Sequence, residues 1–527
     1  MQAYLRASGL PEAWAGRERF VVLDTAFGAG GTFLATWQEW RRDPRRCARL
    51  HYVALHPRPF ALPEAAAELH AQWPLLVPGT HRIELDGGKV VLTLHFSDTK
   101  VLRELRLAAD AIYLHAGMGA AHTLRSISRL AARGATLATS STDPAVCHAL
   151  EETGFAVEKR DAMLVARNTR AVEDIRVREK RAAVIGAGLA GAAVCERLCS
   201  RGWEVDLYER HARAAEEASG NHAGTFHPVA TPDDSVFARM TRAAALYSAT
   251  RWRALEGVRW DPCGVLQLAR DEKEAASQAR AAALFPPEYA QHVSRDEASR
   301  HAGIPVAAGG LWFSGGGWLQ PRTLISAQLA ACGSRLRTHY GTSIHRRPEA
   351  PVVILANSAE AAQLCDVPHL RLRRVRGQLT YVPAERLEPP HVVVLRGGMV
   401  LPPVDGLCVV GASYDIDDES AELREESHAG NLERLERIIL QRPQGAFDGR
   451  VAFRSVAPDR LPVVGRIEEG LYGAFAFGSR GLICAALAAE LIASQLEGEP
   501  LPVEGSLASA LDPLRFRRRA ESRGSRP

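Results

Sequence analysis

Residues 182–209 constrain this chain more than any other stretch. The apolar run Ala182-Ala183-Val184-Ile185 feeds the turn Gly186-Ala187-Gly188-Leu189-Ala190-Gly191, a helix-length segment follows, and Val205-Asp206-Leu207-Tyr208 ends on Glu209. Strand, glycine turn, helix, second strand and terminal acid together form a βαβ unit suited to a dinucleotide. Gly186 permits the tight reversal, Gly188 leaves room for a pyrophosphate, and Gly191 lets the helix pack on the sheet. The anion meets free N–H groups at a helix N-terminus, and Glu209 is placed to accept ribose hydroxyls. A glycine-rich turn that merely packs helix on sheet is the competing reading.

The unit lies mid-chain, so a separate domain is expected ahead of it. A length of 527 residues exceeds what one core usually supports. Between Arg167 and Arg181 charges crowd without glycine or apolar periodicity, which reads as a linker or exposed helix. We therefore expect a front domain over 1–168, a linker over 169–181, a second domain over 182–520 and a basic tail over 513–527.

The front half alternates buried strands with helix-length stretches. Phe20–Asp24 reads as a strand, and Ala26-Phe27-Gly28-Ala29-Gly30-Gly31 as a glycine turn before a helix running through Trp40. Strands are predicted at His51–Leu55, Val90–Phe96, Ala111–Leu114 and Ala135–Thr139, with a closing hairpin at Ala156–Arg160 and Met163–Ala166. That order suits an α/β, Rossmann-like sheet of the methyltransferase type, with its ligand beside Gly28 and Gly30.

The second half departs from simple alternation. Val393–Leu401 and Leu407–Ser413 read as adjacent strands, so an α+β antiparallel-sheet substrate domain (about 261–440) is expected inside a Rossmann domain (about 182–260 and 440–500). Near the end, Tyr472–Phe477 and the turn Gly478-Ser479-Arg480-Gly481 lead into a helix. Two glycine turns gripping one large cofactor favour FAD over NAD.

Several classes are disfavoured. No run of about 18 apolar residues occurs, so no membrane span is expected. The nine cysteines include no C-x-x-C pair, which argues against a metal site and suits a reduced, cytoplasmic setting. The net charge of +4 names no partner, although the cluster Arg515 to Arg519, with Arg523 and Arg526, concentrates cations that suit phosphates. A solvated, frayed tail is the alternative. Composition leaves the oligomeric state open, a monomer included.

The second half is similar to the D-amino-acid oxidase and glycine oxidase group of flavoproteins. Ser219-Gly220-Asn221, Gly316-Gly317-Trp318, Arg376-Gly377-Gln378, Gly411-Ala412-Ser413-Tyr414-Asp415, Pro458-Asp459-Arg460-Leu461-Pro462 and Gly478-Ser479-Arg480-Gly481 occur in the order seen in one branch of it, a family of bifunctional tRNA-modifying enzymes. The resemblance implies FAD held by Gly186, Gly188, Gly191, Glu209, Ser219, Gly220, Asn221, Pro458, Gly478, Ser479 and Gly481. It also implies oxidative removal of the carboxymethyl group from 5-carboxymethylaminomethyl-uridine in tRNA, with a cation for the substrate carboxylate. Arg454 and Arg480 are the candidates, with Arg376, because a guanidinium matches a carboxylate with two hydrogen bonds. Trp312 and Trp318 are candidates for stacking on the uridine, with core packing the competing reading. A small-molecule amine or amino-acid oxidase with a non-catalytic front domain is the main alternative, and a module that binds modified tRNA without turnover is a third.

The front half resembles the methyltransferase domain of the same family. That implies S-adenosylmethionine beside Gly28 and Gly30, with Asp98 near the adenine, and methylation of the aminomethyl product. Three positions depart from the family pattern. His56 stands where a ribose carboxylate is expected, the loop from His115 to Ala120 is short, and the opening segment is reduced. The methyltransferase fold is thus implied more strongly than methyl transfer, and His115 is a candidate base.

Overall fold

The computed structural model describes residues 2–60, 69, 73–160, 163–170, 177 and 179–524, so most of the expected linker lies outside the described residues. Two compact units result: Met1–Val177 with Ser494–Ala508, and Arg178–Ala493 with Ser509–Pro527. The return of residues 494–508 to the first unit is a chain path that no local pattern announces.

In the first unit, β1 (Arg19–Asp24), β2 (Arg49–His56), β3 (Gly79–Leu85), β4 (Val90–Phe96), β5 (Ala109–Leu114), β6 (Ala131–Thr139), β7 (Phe155–Arg160) and β8 (Met163–Asn168) form one sheet in the order β3-β4-β2-β1-β5-β6-β8-β7. The five strands from β4 to β6 run parallel, while β3 and the β7/β8 hairpin are antiparallel. Alternation explains β1. Phe20 and Val22 face a core with Trp37, Trp40 and Tyr52, while Val21 and Leu23 face a second core with Leu124, Ile127 and Leu137. The fold class expected for this half is thus observed. Strand β3 was not anticipated, because its polar text, Gly-Thr-His-Arg-Ile-Glu-Leu, lacks a clear apolar period.

That polar text has a partner. His51, Thr80, Arg82 and His95 are buried, with His51 Nε2 3.5 Å from Glu499 Oε1 and Arg82 Nη1 donating to Ser494 Oγ at 3.1 Å. Burial pushes the His51 imidazole down to about 4, against the pull of Glu499. The folded unit holds this ring neutral, whereas the unfolded chain takes up a proton below its ordinary value near 6.5. The contribution is therefore complete above pH 6.5 and lost as pH falls towards 4, a change of about 3 kcal/mol for this group. Acid titration followed by circular dichroism is expected to show the loss in that window, and His51→Leu to remove it.

In the second unit, β9 (Arg181–Ile185) and β10 (Glu204–Tyr208) lie in a six-stranded sheet ordered Leu336–His339, β10, β9, Val352–Leu355, Leu471–Phe475, Val463–Glu468. The strands are parallel except the last. A second, mostly antiparallel sheet is built on Arg373–Pro383, which pairs along nine residues with Asp448–Val456 and along five with Leu407–Gly411. The Rossmann sheet with an inserted antiparallel sheet is therefore present. The basic tail is not a loose end. Arg515–Gly524 is helical, Arg515 is buried with its guanidinium on both oxygens of Asp459, Arg519 reaches Asp459, and Arg517 and Arg518 pair with Glu521 and Asp512.

Candidate active site

A cleft of about 1300 Å³ opens along the C-terminal ends of the parallel strands of the second unit. Its floor is the turn after β9. Gly186 has φ 102°, and a Cβ there would fall 2.8 Å from Ala356 O. A Cβ on Gly191 would fall 1.8 Å from Gly186 O, so this glycine seats the helix Leu189–Cys199 on the turn rather than lining the cleft. Gly188 does line the cleft, and a Cβ there would meet Ser219 Oγ at 2.9 Å. Ser219 Oγ accepts from Leu189 N at 3.1 Å and so caps the helix N-terminus while its own proton stays available.

The Glu209 carboxylate accepts from Ala187 N at 2.8 Å and from His211 N at 2.9 Å. Each oxygen keeps a second lone pair, which is what a ribose diol needs. Asn221 lines the cleft, whereas Gly220 packs behind it, a Cβ there falling 2.2 Å from Ala215 O. The second turn, at Gly478 (φ 54°), Ser479, Arg480 and Gly481, lines the same cleft. Asn221, Thr225, Asn357 and Ser455 also line the cleft, each with a buried oxygen that has no hydrogen-bond partner among the described residues. The volume, the two glycine turns and the Glu209 carboxylate on one cleft together fit a dinucleotide such as FAD.

Two half-buried guanidinium groups face this cleft without a carboxylate in ion-pair contact among the described residues. Arg454 donates to Ser413 O at 3.3 Å and lies 5.7 Å from the centroid of the Tyr414 ring. Gly377 makes room for it, since a Cβ there would sit 2.5 Å from Arg454 Nη1. Arg480 Nη1 lies 2.9 Å from His227 Nε2 and donates to His227 O at 3.2 Å. His227 Nδ1 is 2.7 Å from Pro228 O, an acceptor only, so Nδ1 carries the proton and Nε2 receives from Arg480. Burial, with Arg480 alongside, holds His227 well below the usual imidazole range, and burial also lowers both arginines. A cation kept dry and unpaired invites an anion.

Other expected site residues lie elsewhere. Arg376 is fully buried and saturated by Asp415, Gln378, Ser420 O and Glu422 O, which removes it as a substrate cation. Pro458 is exposed and does not line the cleft; its neighbour Asp459 instead anchors Arg515. Neither Trp312 nor Trp318 reaches the cleft, and Trp312 stacks on His301 at 4.2 Å. His227, Thr225 and Asn357 escaped the sequence reading because no motif surrounds them.

In the first unit, Gly28 (φ 55°) and Gly30 (φ 79°) shape the turn after β1, which ends on buried Asp24. Asp24 receives Ala26 N at 3.0 Å and the Tyr52 hydroxyl, and His115 Nε2 lies 2.9 Å from its Oδ1. His56 Nδ1 contacts Arg58 O and its ring packs on Phe60 at 4.3 Å, so this position holds an aromatic edge and no carboxylate. Asp98 is exposed and caps the short helix Thr99–Arg103 through Lys100 N. The turn and its aromatic wall suit a nucleoside, whereas the ribose acid is missing.

A parallel sheet with two glycine turns on one cleft, joined to an antiparallel sheet, defines an FAD-dependent oxidoreductase, and a second α/β unit accompanies it. The family model for FAD dependent oxidoreductases matches residues 181–495, and that for S-adenosyl-L-methionine-dependent methyltransferases matches 61–170. Glycine oxidase from Geobacillus kaustophilus shares the fold at TM-score 0.53 and 22% identity, covering 61% of this chain and 95% of its own. Iminodiacetate oxidase from Chelativorans sp. BNC1 does so at 0.52 and 24%, covering 61% and 97%. Beyond this class, the chain belongs to the family of the tRNA 5-methylaminomethyl-2-thiouridine biosynthesis bifunctional protein MnmC. The proteins of that name from Paraburkholderia phytofirmans and Paraburkholderia xenovorans are each 42% identical to it, over 99% of this chain and 94% of theirs.

Proposed function

We propose that the second unit oxidises the carboxymethylaminomethyl group of a tRNA wobble uridine to aminomethyl, and that the first unit methylates the product. The observation that carries the oxidative step is the pair of half-buried guanidinium groups on the dinucleotide cleft, neither in ion-pair contact with a carboxylate among the described residues. FAD supplies the two-electron acceptor for the carbon between amine and carboxylate, and hydrolysis of the resulting C=N bond leaves a primary amine and glyoxylate. Arg454 holds the substrate carboxylate with two parallel hydrogen bonds and so fixes the orientation of the arm. Arg480 adds positive potential on the same wall, and neutral His227 keeps it aimed without cancelling its charge. Ser219, Asn221 and Glu209, with the turns at Gly186, Gly188, Gly478, Ser479 and Gly481, hold the cofactor; Gly191 and Gly220 set its floor.

For the methyl donor, the turn at Gly28 and Gly30 and the aromatic wall of Phe27, Phe60 and Trp73 would hold the adenosyl group. Asp98, exposed and engaged as a helix cap, contributes at most from the rim. The reading places the protein with tRNA in the cytoplasm. No helix among the described residues is long and apolar enough to cross a membrane.

Incubation with tRNA carrying 5-carboxymethylaminomethyl-uridine tests the whole reading. We expect a yellow protein that releases glyoxylate from this tRNA and not from free glycine or sarcosine. Nucleoside analysis is expected to show the aminomethyl product alone, and the methylaminomethyl product when S-adenosylmethionine is added. Glyoxylate from sarcosine at comparable efficiency would instead favour a small-molecule oxidase.

A further inference from the structure

We infer that Tyr414 is the platform on which the substrate's nucleobase stacks at the mouth of the cleft, a deepening that rests on the tRNA reading above. Five cleft-lining residues carry phenyl or phenol rings: Tyr208, Phe453, Phe475, Phe477 and Tyr414. Four of them are covered to different degrees. Tyr208 stacks on His339 at 4.6 Å, Arg374 lies over Phe453 at 4.4 Å, Phe475 is buried, and Phe477 is half-buried. Tyr414 is 49% exposed, with the Arg454 guanidinium over its ring at 5.7 Å, farther than Arg374 from Phe453. Among these five rings it is the one that offers a flat ligand the most open surface on the cleft.

The backbone on either side of the ring is tied down. Ser413 N donates to Gln378 O at 3.1 Å, Gln378 N donates back to Ser413 Oγ at 3.1 Å, and Ser413 Oγ donates to Asp415 Oδ2 at 2.7 Å. Both neighbours of Tyr414 are therefore tied to the sheet, so binding need not order the backbone that carries the ring. Arg454 fixes the relation to the chemistry. Its guanidinium carbon is 5.7 Å from the Tyr414 centroid, and its Nη1 is hydrogen-bonded to Ser413 O. Ring and cation lie side by side and match the two ends of the substrate, a flat uracil and a carboxylate on a three-atom CH2–NH–CH2 arm. Base-on-aromatic stacking needs a π-face and no particular hydrogen bond, so phenylalanine and tryptophan should serve where alanine and leucine do not.

The test is steady-state kinetics of the FAD-loaded full chain on carboxymethylaminomethyl-uridine tRNA for Tyr414→Ala, Tyr414→Leu, Tyr414→Phe and Tyr414→Trp, with flavin absorbance recording occupancy. We expect Tyr414→Ala and Tyr414→Leu to raise KM about 5- to 150-fold with a much smaller change in kcat. Tyr414→Phe and Tyr414→Trp should stay within about threefold of the parent, below the smallest loss of a stacking contact. KM unchanged in the alanine and leucine variants, or an equal loss in the phenylalanine variant, would overturn the inference. Parent protein that leaves this tRNA unmodified would overturn the underlying reading of the reaction instead.

Discussion

Arg454→Ala is expected to lower kcat/KM on the modified tRNA by about a thousandfold while the protein remains yellow. The guanidinium is half-buried, has no carboxylate in ion-pair contact among the described residues, and lies on the wall of the cleft rather than on the glycine floor. Losing one partner of a buried, charge-assisted bidentate contact costs about 2–5 kcal/mol, which corresponds to some 30- to 5000-fold in rate. Arg454→Lys should recover little, because an ammonium cannot present the planar fork. Steady-state kinetics with absorbance at the flavin band check both parts. Turnover within a few-fold of the parent at full flavin occupancy would move the carboxylate site to Arg480.

The second large effect concerns stability. The helix that starts at Gly188 and the helix that starts at Gly481 are joined by one carboxylate, Glu490, fully buried, with Oε2 2.7 Å from Arg197 Nε and Oε1 2.8 Å from Arg201 Nη2. Glu490→Ala would remove the buried carboxylate that Arg197 and Arg201 share, leaving Arg197 with Glu196 at 3.6 Å, a loss of about 3 kcal/mol. Because these helices begin at the two cofactor turns, flavin release on urea titration should shift to lower denaturant together with the loss of helical signal. A flavin-release midpoint equal to the parent's would show that the triad does not couple the two turns. Glu490→Gln should fall between, since it keeps the hydrogen bonds and loses the charge.

Much of this protein was legible in short windows of sequence. The βαβ unit at 182–209, the alternation of the front half and the glycine turn at 478–481 are local patterns, because strand and helix periods and the need for positive φ act over a few residues. The same windows misplaced residues whose role depends on direction. Arg376 and Arg454 look alike in sequence, yet on paired strands Arg376 points into a saturated polar knot while Arg454 reaches the cleft over Gly377. Of the two readings open for Trp312, stacking on the base or packing, the fold selects packing against His301, and Trp318 likewise does not line the cleft.

Sequence alone thus determined the class: two α/β halves, a dinucleotide cofactor, and an oxidase-like turn at each end of the second half. Tertiary structure decided which cations stay unpaired, which aromatic stays open, and which histidine supports Arg480 from 253 residues away. The physical reason is that secondary structure and turns depend on near neighbours along the chain. Whether a charge is neutralised or an orphaned oxygen faces a ligand depends on neighbours in space, and those are set by the sheet order and strand register of the folded chain.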